Sequence, residues 1–186
     1  MMTSRSNRTI LALLLCGLIG IAPASAAPSG TPLTNDMVSK YYAQCLVVSD
    51  KEGTMTPESS KSYCACTSGQ MKNWIAQEDI KAMSGQDQAA RNVINKVLIN
   101  VNAPCTRFPI HDMVYKECLS KNMARGTCEC LSNGISTYLQ DQSESLMGKI
   151  LAANPNAVNP LGEIMNSPEY QKQEKAIAMS CIAKGR

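Results

Sequence analysis

Histidine is almost missing from this sequence: His111 stands alone. It has no second histidine with which to share a metal, and no Ser-His-Asp arrangement is legible from spacing. Adjacent Asp112 makes a helix cap the simpler account. Gly-x-Ser-x-Gly, a P-loop and His-Glu-x-x-His are all lacking. Carboxylates recur at Glu78-Asp79, at Glu163 with Glu169 and at Asp141 with Glu144, where solvated polar surface explains them. No catalytic, cofactor-binding or metal-ligating residue is assigned, and the chain is read as non-enzymatic.

Charge of either sign is also sparse. The net charge is +3, and it falls to +1 once Arg5 and Arg8 leave with the N-terminal segment. That balance offers no electrostatic footprint for nucleic acid, whose phosphates call for clustered Lys and Arg. Past residue 26 no apolar run approaches the roughly 18 residues a membrane span requires, so a transmembrane segment is not expected and the mature chain is read as soluble. Aromatics amount to one Trp, one Phe and six Tyr. A core built from two halves of about 75 residues with so few large rings is small, and cross-links are a natural supplement.

The first 26 residues read as a cleaved secretory signal. Arg5 and Arg8 form the positive region, Ile10 to Ile21 the apolar region, and Ala24-Ser25-Ala26 the Ala-x-Ala cleavage site. Cys16 raises the question of a lipid anchor, but Leu15 before it is too bulky and the apolar run continues past it. The short charged region suits bacterial export, to the periplasm or the medium.

Eight cysteines remain after cleavage, and they form a unit that occurs twice. The first is Cys45, Cys64-Ala65-Cys66 and Cys105; the second is Cys118, Cys128-Glu129-Cys130 and Cys181. Tyr42 and Tyr115 precede the first cysteine of each by three, Leu46 and Leu119 follow it, and Trp74-Ile75 falls where Tyr138-Leu139 falls. An even set in an oxidising compartment implies disulfides. Zinc would need thiolates, and a redox pair wants an activating positive group, which Glu129 opposes. Positions two apart on a helix point about 200° apart, so a helical Cys-x-Cys is poorly placed to close on itself. One member should tie the middle helix to the first helix of its half and the other to the third. Eight cysteines allow on the order of a hundred pairings; closure within each half leaves two per half, and the sequence does not choose between them.

The expected architecture is all-α: two tandem disulfide-stapled three-helix units forming a small helical array. Residues 27–35 read as a flexible lead-in, 36–107 as the first repeat and 108–186 as the second. Helices are expected at about 36–47, 57–76 (capped by Thr56, with Pro57 first) and 86–102, ended by Ala103-Pro104. In the second half they are expected at about 109–121 and 127–140, the latter extended or kinked through 153, then one turn at 161–165. A last helix should start at Ser167-Pro168 and run to 184. Ser49 to Met55 reads as a loop. Val93, Ile94, Val97, Leu98 and Val101 form a helical apolar stripe.

Nine methionines survive processing. They show no Met-x-x-Met clustering of the kind a Cu(I) handler would use, so they read as flexible core filler, with some available to an adaptable binding face. Trp74 and Tyr138 are core anchors or, alternatively, walls of a recognition surface. The junction near Cys105 to Asp112 is where two such modules could form a groove. The functional expectation is an exported binding protein of the bacterial envelope or secretome, whose partner is another protein of unassigned identity. In size, compartment and content the chain resembles the small disulfide-bonded helical immunity proteins of bacterial toxin systems. That resemblance implies an inhibitor of a toxin or wall enzyme and assigns no residues. A small envelope hydrolase or thiol-exchange enzyme is the further alternative.

Overall fold

The computed structural model describes residues 29–184; the segment 1–26 expected to be a cleaved signal lies outside the described residues. The fold is all-α, with no strand among the described residues beyond an isolated bridge between Pro32 and Ala76. Its helices are α1 (Asn35–Glu52), α2 (Pro57–Trp74), α3 (Gln77–Ala82), α4 (Gln88–Val97), α5 (Arg107–Ser120), α6 (Arg125–Ala153), α7 (Pro160–Met165) and α8 (Pro168–Lys184).

Local chemistry sets most boundaries. Thr34 caps α1, its hydroxyl accepting the Met37 N–H at 3.2 Å. The helix runs past Val47 to Glu52, through part of the expected loop, because Gly53 supplies the left-handed stop at φ 61° and donates its N–H to Ser49 O. Thr56 and Pro57 open α2 as expected, and the Ser167 hydroxyl accepts the Tyr170 N–H to open α8. Residues 125–153 form one continuous helix.

The expected stop at Ala103-Pro104 does not occur. Leu98–Asn102 widens into a π turn, Ala103–Cys105 tightens into a 3-10 turn, and α5 follows after Thr106. A proline inside an α-helix clashes with the carbonyl four residues back and removes a donor. The π turn instead sends the Ala103 N–H to Leu98 O, and the changed pitch carries Pro104 through a helical bend.

Four disulfides link the helices: Cys45–Cys64, Cys66–Cys105, Cys118–Cys128 and Cys130–Cys181. Both units use the same pattern. The first member of each Cys-x-Cys reaches back to the preceding helix and the second reaches forward, and no bond crosses between the sets. Small side chains let the helices close around the bridges: Thr67 and Ser132 are fully buried beside them, and Ser49 Oγ lies 3.6 Å from Cys64 Sγ.

One core cluster gathers Ile110, Val114, Ile135, Leu139, Met147, Ile164 and Tyr170 between α5, α6, α7 and α8. A second gathers Leu33, Met71, Ile75 and Val101. Leu33 belongs to the stretch expected as a flexible lead-in, yet residues 29–34 are strapped to the start of α3. Glu78 accepts both the Thr31 N–H and its hydroxyl, and Thr31 O accepts the Gln77 N–H. Asp79 accepts the Ala76 N–H at 2.9 Å and pairs with Lys96 at 2.8 Å. The Glu78-Asp79 pair, expected to be solvated surface, therefore acts as two structural clamps. Glu163, Glu169, Asp141 and Glu144 are exposed.

Candidate functional site

The turn between α1 and α2 is gripped by α5. Asp112 and Lys116 sit one helical turn apart on α5 and take hold of residues 53–56 from opposite charges. Asp112 Oδ2 accepts the Thr56 N–H at 2.6 Å. Lys116 Nζ donates to Gly53 O at 3.2 Å and Thr54 O at 2.9 Å. The carboxylate thus lies at the positive end of α2 and the ammonium at the negative end of α1. The cap expected from His111-Asp112 exists, but it serves α2 rather than its own helix.

Asp112 is only 5% exposed. Burial pushes its pKa up, but hydrogen bonds from the Thr56 N–H, from His111 and from the Ser59 and Thr56 hydroxyls outweigh it and hold the carboxyl below its ordinary range. His111 Nδ1 lies 3.1 Å from Asp112 Oδ1, its Nε2 lies 3.7 Å from Glu129, and its ring stacks on Tyr115. The histidine is held between two acids that have structural neighbours of their own, and Ser59 and Ser62 line the same small pocket.

Gripping the turn leaves two grooves beside it that meet at Thr54 and Pro109. One, about 470 Å³, is walled by Tyr41, Val48, Met55, Tyr63 and Val97, with Glu52 at its edge. The other, about 510 Å³, is walled by Ile110, Met113, Leu161 and Met165, with Lys116 at its edge. Pro109 and Met113 fall four apart on α5 and so share a face; α7 supplies the opposite wall. Tyr63 is pushed up to about 12 by burial, with Tyr41 and Glu52 adding to it, so it lies in the groove as a neutral phenol. Val47 and Val48 on α1 are 69% and 54% exposed and extend the apolar surface outward; Met113 is 40% exposed. A smaller polar pocket of about 260 Å³ surrounds His111 and Arg107.

Trp74 and Tyr138, expected as core anchors or as walls of a recognition surface, pack against the core. Trp74 leans on the Leu33–Met71–Ile75 cluster and Tyr138 on the Ile135–Leu139 cluster, each half-buried, and neither lines these grooves. The residues that do line them, Pro109, Met113, Lys116 and Met165, carry no sequence signal beyond the position of the junction and the surplus of methionine. Every disulfide contains at least one buried cysteine, which shields the sulfur from attack. Among the described residues no cluster of His, Cys, Asp and Glu is arranged to hold a metal ion.

No family model, curated protein or solved structure matches the chain. The grooves and their chemistry are the basis for a functional reading.

Proposed function

We propose that the chain is an exported, non-enzymatic binding protein of the bacterial cell envelope or secretome, and that its joined grooves hold an apolar segment of another protein. The observation that carries this reading is the open apolar surface running from Val48 past Pro109 to Met165. Its walls are methionine, tyrosine and branched aliphatics, side chains that adapt to a partner and supply contact area. Folded monomers keep such contiguous surface only where it is used. The disulfides belong to an oxidising compartment, in agreement with export through the N-terminal segment, and no helix among the described residues is long and apolar enough to cross a membrane. The carboxylate beside the only histidine is engaged in holding the start of α2, which supports a structural role for that pair.

A photo-cross-linking side chain placed at Met113, in cells that make the protein, tests the reading. A discrete protein adduct at Met113, and none from the same group at exposed Glu144 on α6, supports it. Absence of an adduct at Met113, or equal labelling at both positions, contradicts it.

A further inference from the structure

At the corner between α2 and α3 the chain holds its own N-terminal arm, residues 30–33, as an extended segment. Ile75 and Ala76 are themselves extended (φ −111°, ψ 133° and φ −96°, ψ 166°), and Pro32 pairs with Ala76 in an antiparallel bridge. Two arm carbonyls are fixed there: Thr31 O accepts the Gln77 N–H at 2.9 Å, and Pro32 O accepts from Gln77 Nε2 at 3.0 Å. Four consecutive residues then meet four different demands. Gly30 has φ 139°, a conformation that favours glycine, and a Cβ there would fall 2.7 Å from Glu78 Oε2 and 2.9 Å from Ala76 Cβ. Thr31 donates its N–H and its hydroxyl to the two oxygens of Glu78, at 3.0 and 2.7 Å. Pro32 contributes only its carbonyl, and its ring pre-sets the extended backbone. Leu33 is buried in the cluster of Met71, Ile75 and Val101.

Main-chain bonds that fix an extended segment, with neighbours that read its side chains, are the elements of peptide recognition by strand addition. Every partner of the arm lies outside it, so the same pattern on another chain can make each contact. We infer that this corner is a binding site for an extended Gly-Thr-Pro-aliphatic segment, that the arm is its resident ligand, and that a partner polypeptide carrying the pattern displaces the arm. The site itself selects the occupant. Glu78 calls for an N–H and a hydroxyl on one residue, the close approach of Ala76 calls for glycine, and the core calls for a branched aliphatic. The arm's polar contacts are exposed and its one buried anchor is Leu33, the profile of a segment that opens locally without global unfolding. This site is separate from the joined grooves and does not depend on their role.

Oxidised protein comprising residues 27–186 and the capped hexapeptide Ser-Gly-Thr-Pro-Leu-Thr provide the test. Trp74, the only tryptophan, packs on the cluster that holds Leu33, so its emission reports whether the seat is filled. A tethered arm competes at an effective concentration on the order of millimolar. Gly30→Ala unseats the arm and should therefore bind the peptide at least about 10-fold more tightly than the wild type. In that variant, replacing the peptide's glycine by alanine or its threonine by valine should weaken binding about 10-fold, as should Glu78→Gln in the protein. Leu33→Asp empties the seat by a second route, and far-UV circular dichroism establishes that each variant retains its helices. Equal affinities of the parent and altered peptides, no binding to either folded variant, or equal affinities of wild type and Gly30→Ala would overturn the inference. A wild-type dimer that the peptide dissociates would also overturn it, because the arm of a second copy would then be the occupant. If neither variant folds, NMR of the wild type decides: peptide at about 10 mM, enough to compete with the tethered arm, should move the Thr31 and Gln77 amide signals, and unmoved signals overturn the inference.

Discussion

Asp112 offers a sharp test of how the two halves are held together. Replacing it with alanine removes the acceptor of the 2.6 Å bond from the Thr56 N–H, leaving a donor unpaired beside a nearly buried position. It also removes a negative charge from the N-terminus of α2. A hydrogen bond to a charged group is worth about 1.5–3 kcal/mol, and a helix-end charge adds a fraction more, so Asp112→Ala should cost about 2–3 kcal/mol. For a chain of this size each kcal/mol moves the melting point about 2–4 °C, which places the expected loss near 5–10 °C. Asp112→Asn retains a neutral acceptor and should cost about half as much. The carboxyl is held below its ordinary range in the folded protein. Its contribution is therefore full above the unfolded-state pKa, about 3.9, and disappears as pH falls through the folded value. Urea unfolding followed at 222 nm, from pH 7 down to the acid limb, reads both effects. The wild type should lose stability in acid more steeply than Asp112→Asn. A cost for Asp112→Ala within about 0.5 kcal/mol of zero, the range of ordinary surface changes, would refute the clamp.

Gly134 and Gly148 lie on the same helix but differ in what a methyl would meet. A Cβ at Gly134 would sit 2.6 Å from Ile177 Cγ2, and at Gly148 nothing lies within 4 Å. Gly148→Ala should stabilise by about 0.5–1 kcal/mol, whereas Gly134→Ala should destabilise by about 1 kcal/mol after its propensity gain and be rescued by Ile177→Ala, as thermal melts would record. Tyr63 and Tyr170 are both pushed up to about 12 by burial, aided by nearby charge and phenols. Because their folded values exceed the unfolded value near 10, the stability they contribute is present below that pH and lost as pH rises toward 12. Absorbance titration at 295 nm should show the last step shrink in Tyr63→Phe and in Tyr170→Phe. Among the disulfides, Cys66–Cys105 closes a separation of 39 residues and Cys118–Cys128 one of 10. By chain entropy, pairwise replacement with alanine should cost about 4 and about 3 kcal/mol respectively, an order that equilibrium unfolding can check.

The doubled cysteine unit made the helical array legible before any coordinates, because a helical Cys-x-Cys has neighbours on two sides. What spacing left open was the direction of each member, and the structure gives one answer for both units. Helix ends were legible where the capping residue also matched the start of an apolar period, as at Thr56 and Ser167. They were misplaced at Val47, where Gly53 six residues on decides the stop, and at Pro104, where a π turn absorbs a residue that normally ends a helix. Glu78 and Asp79 read as surface because their partners, Thr31 and Lys96, are distant in sequence or on another helix. The groove was foreshadowed only by position, at the junction that contains Pro109 and Ile110. Its walls come from α1, α2, α4, α5 and α7, and no periodicity within one segment brings Met113 and Met165 together.

All of this depends on sulfur being committed to architecture, so that function resides on the surface. The direct measurement is a disulfide map of the oxidised mature protein together with a thiol titration in denaturant. Glu129 allows proteolysis between Cys128 and Cys130, while Cys64 and Cys66, separated only by Ala65, need fragmentation in the mass spectrometer. The expected result is no free thiol and the four links Cys45–Cys64, Cys66–Cys105, Cys118–Cys128 and Cys130–Cys181. A pair of titratable thiols, a Cys45–Cys66 link, or any bond joining the first cysteine set to the second would contradict it.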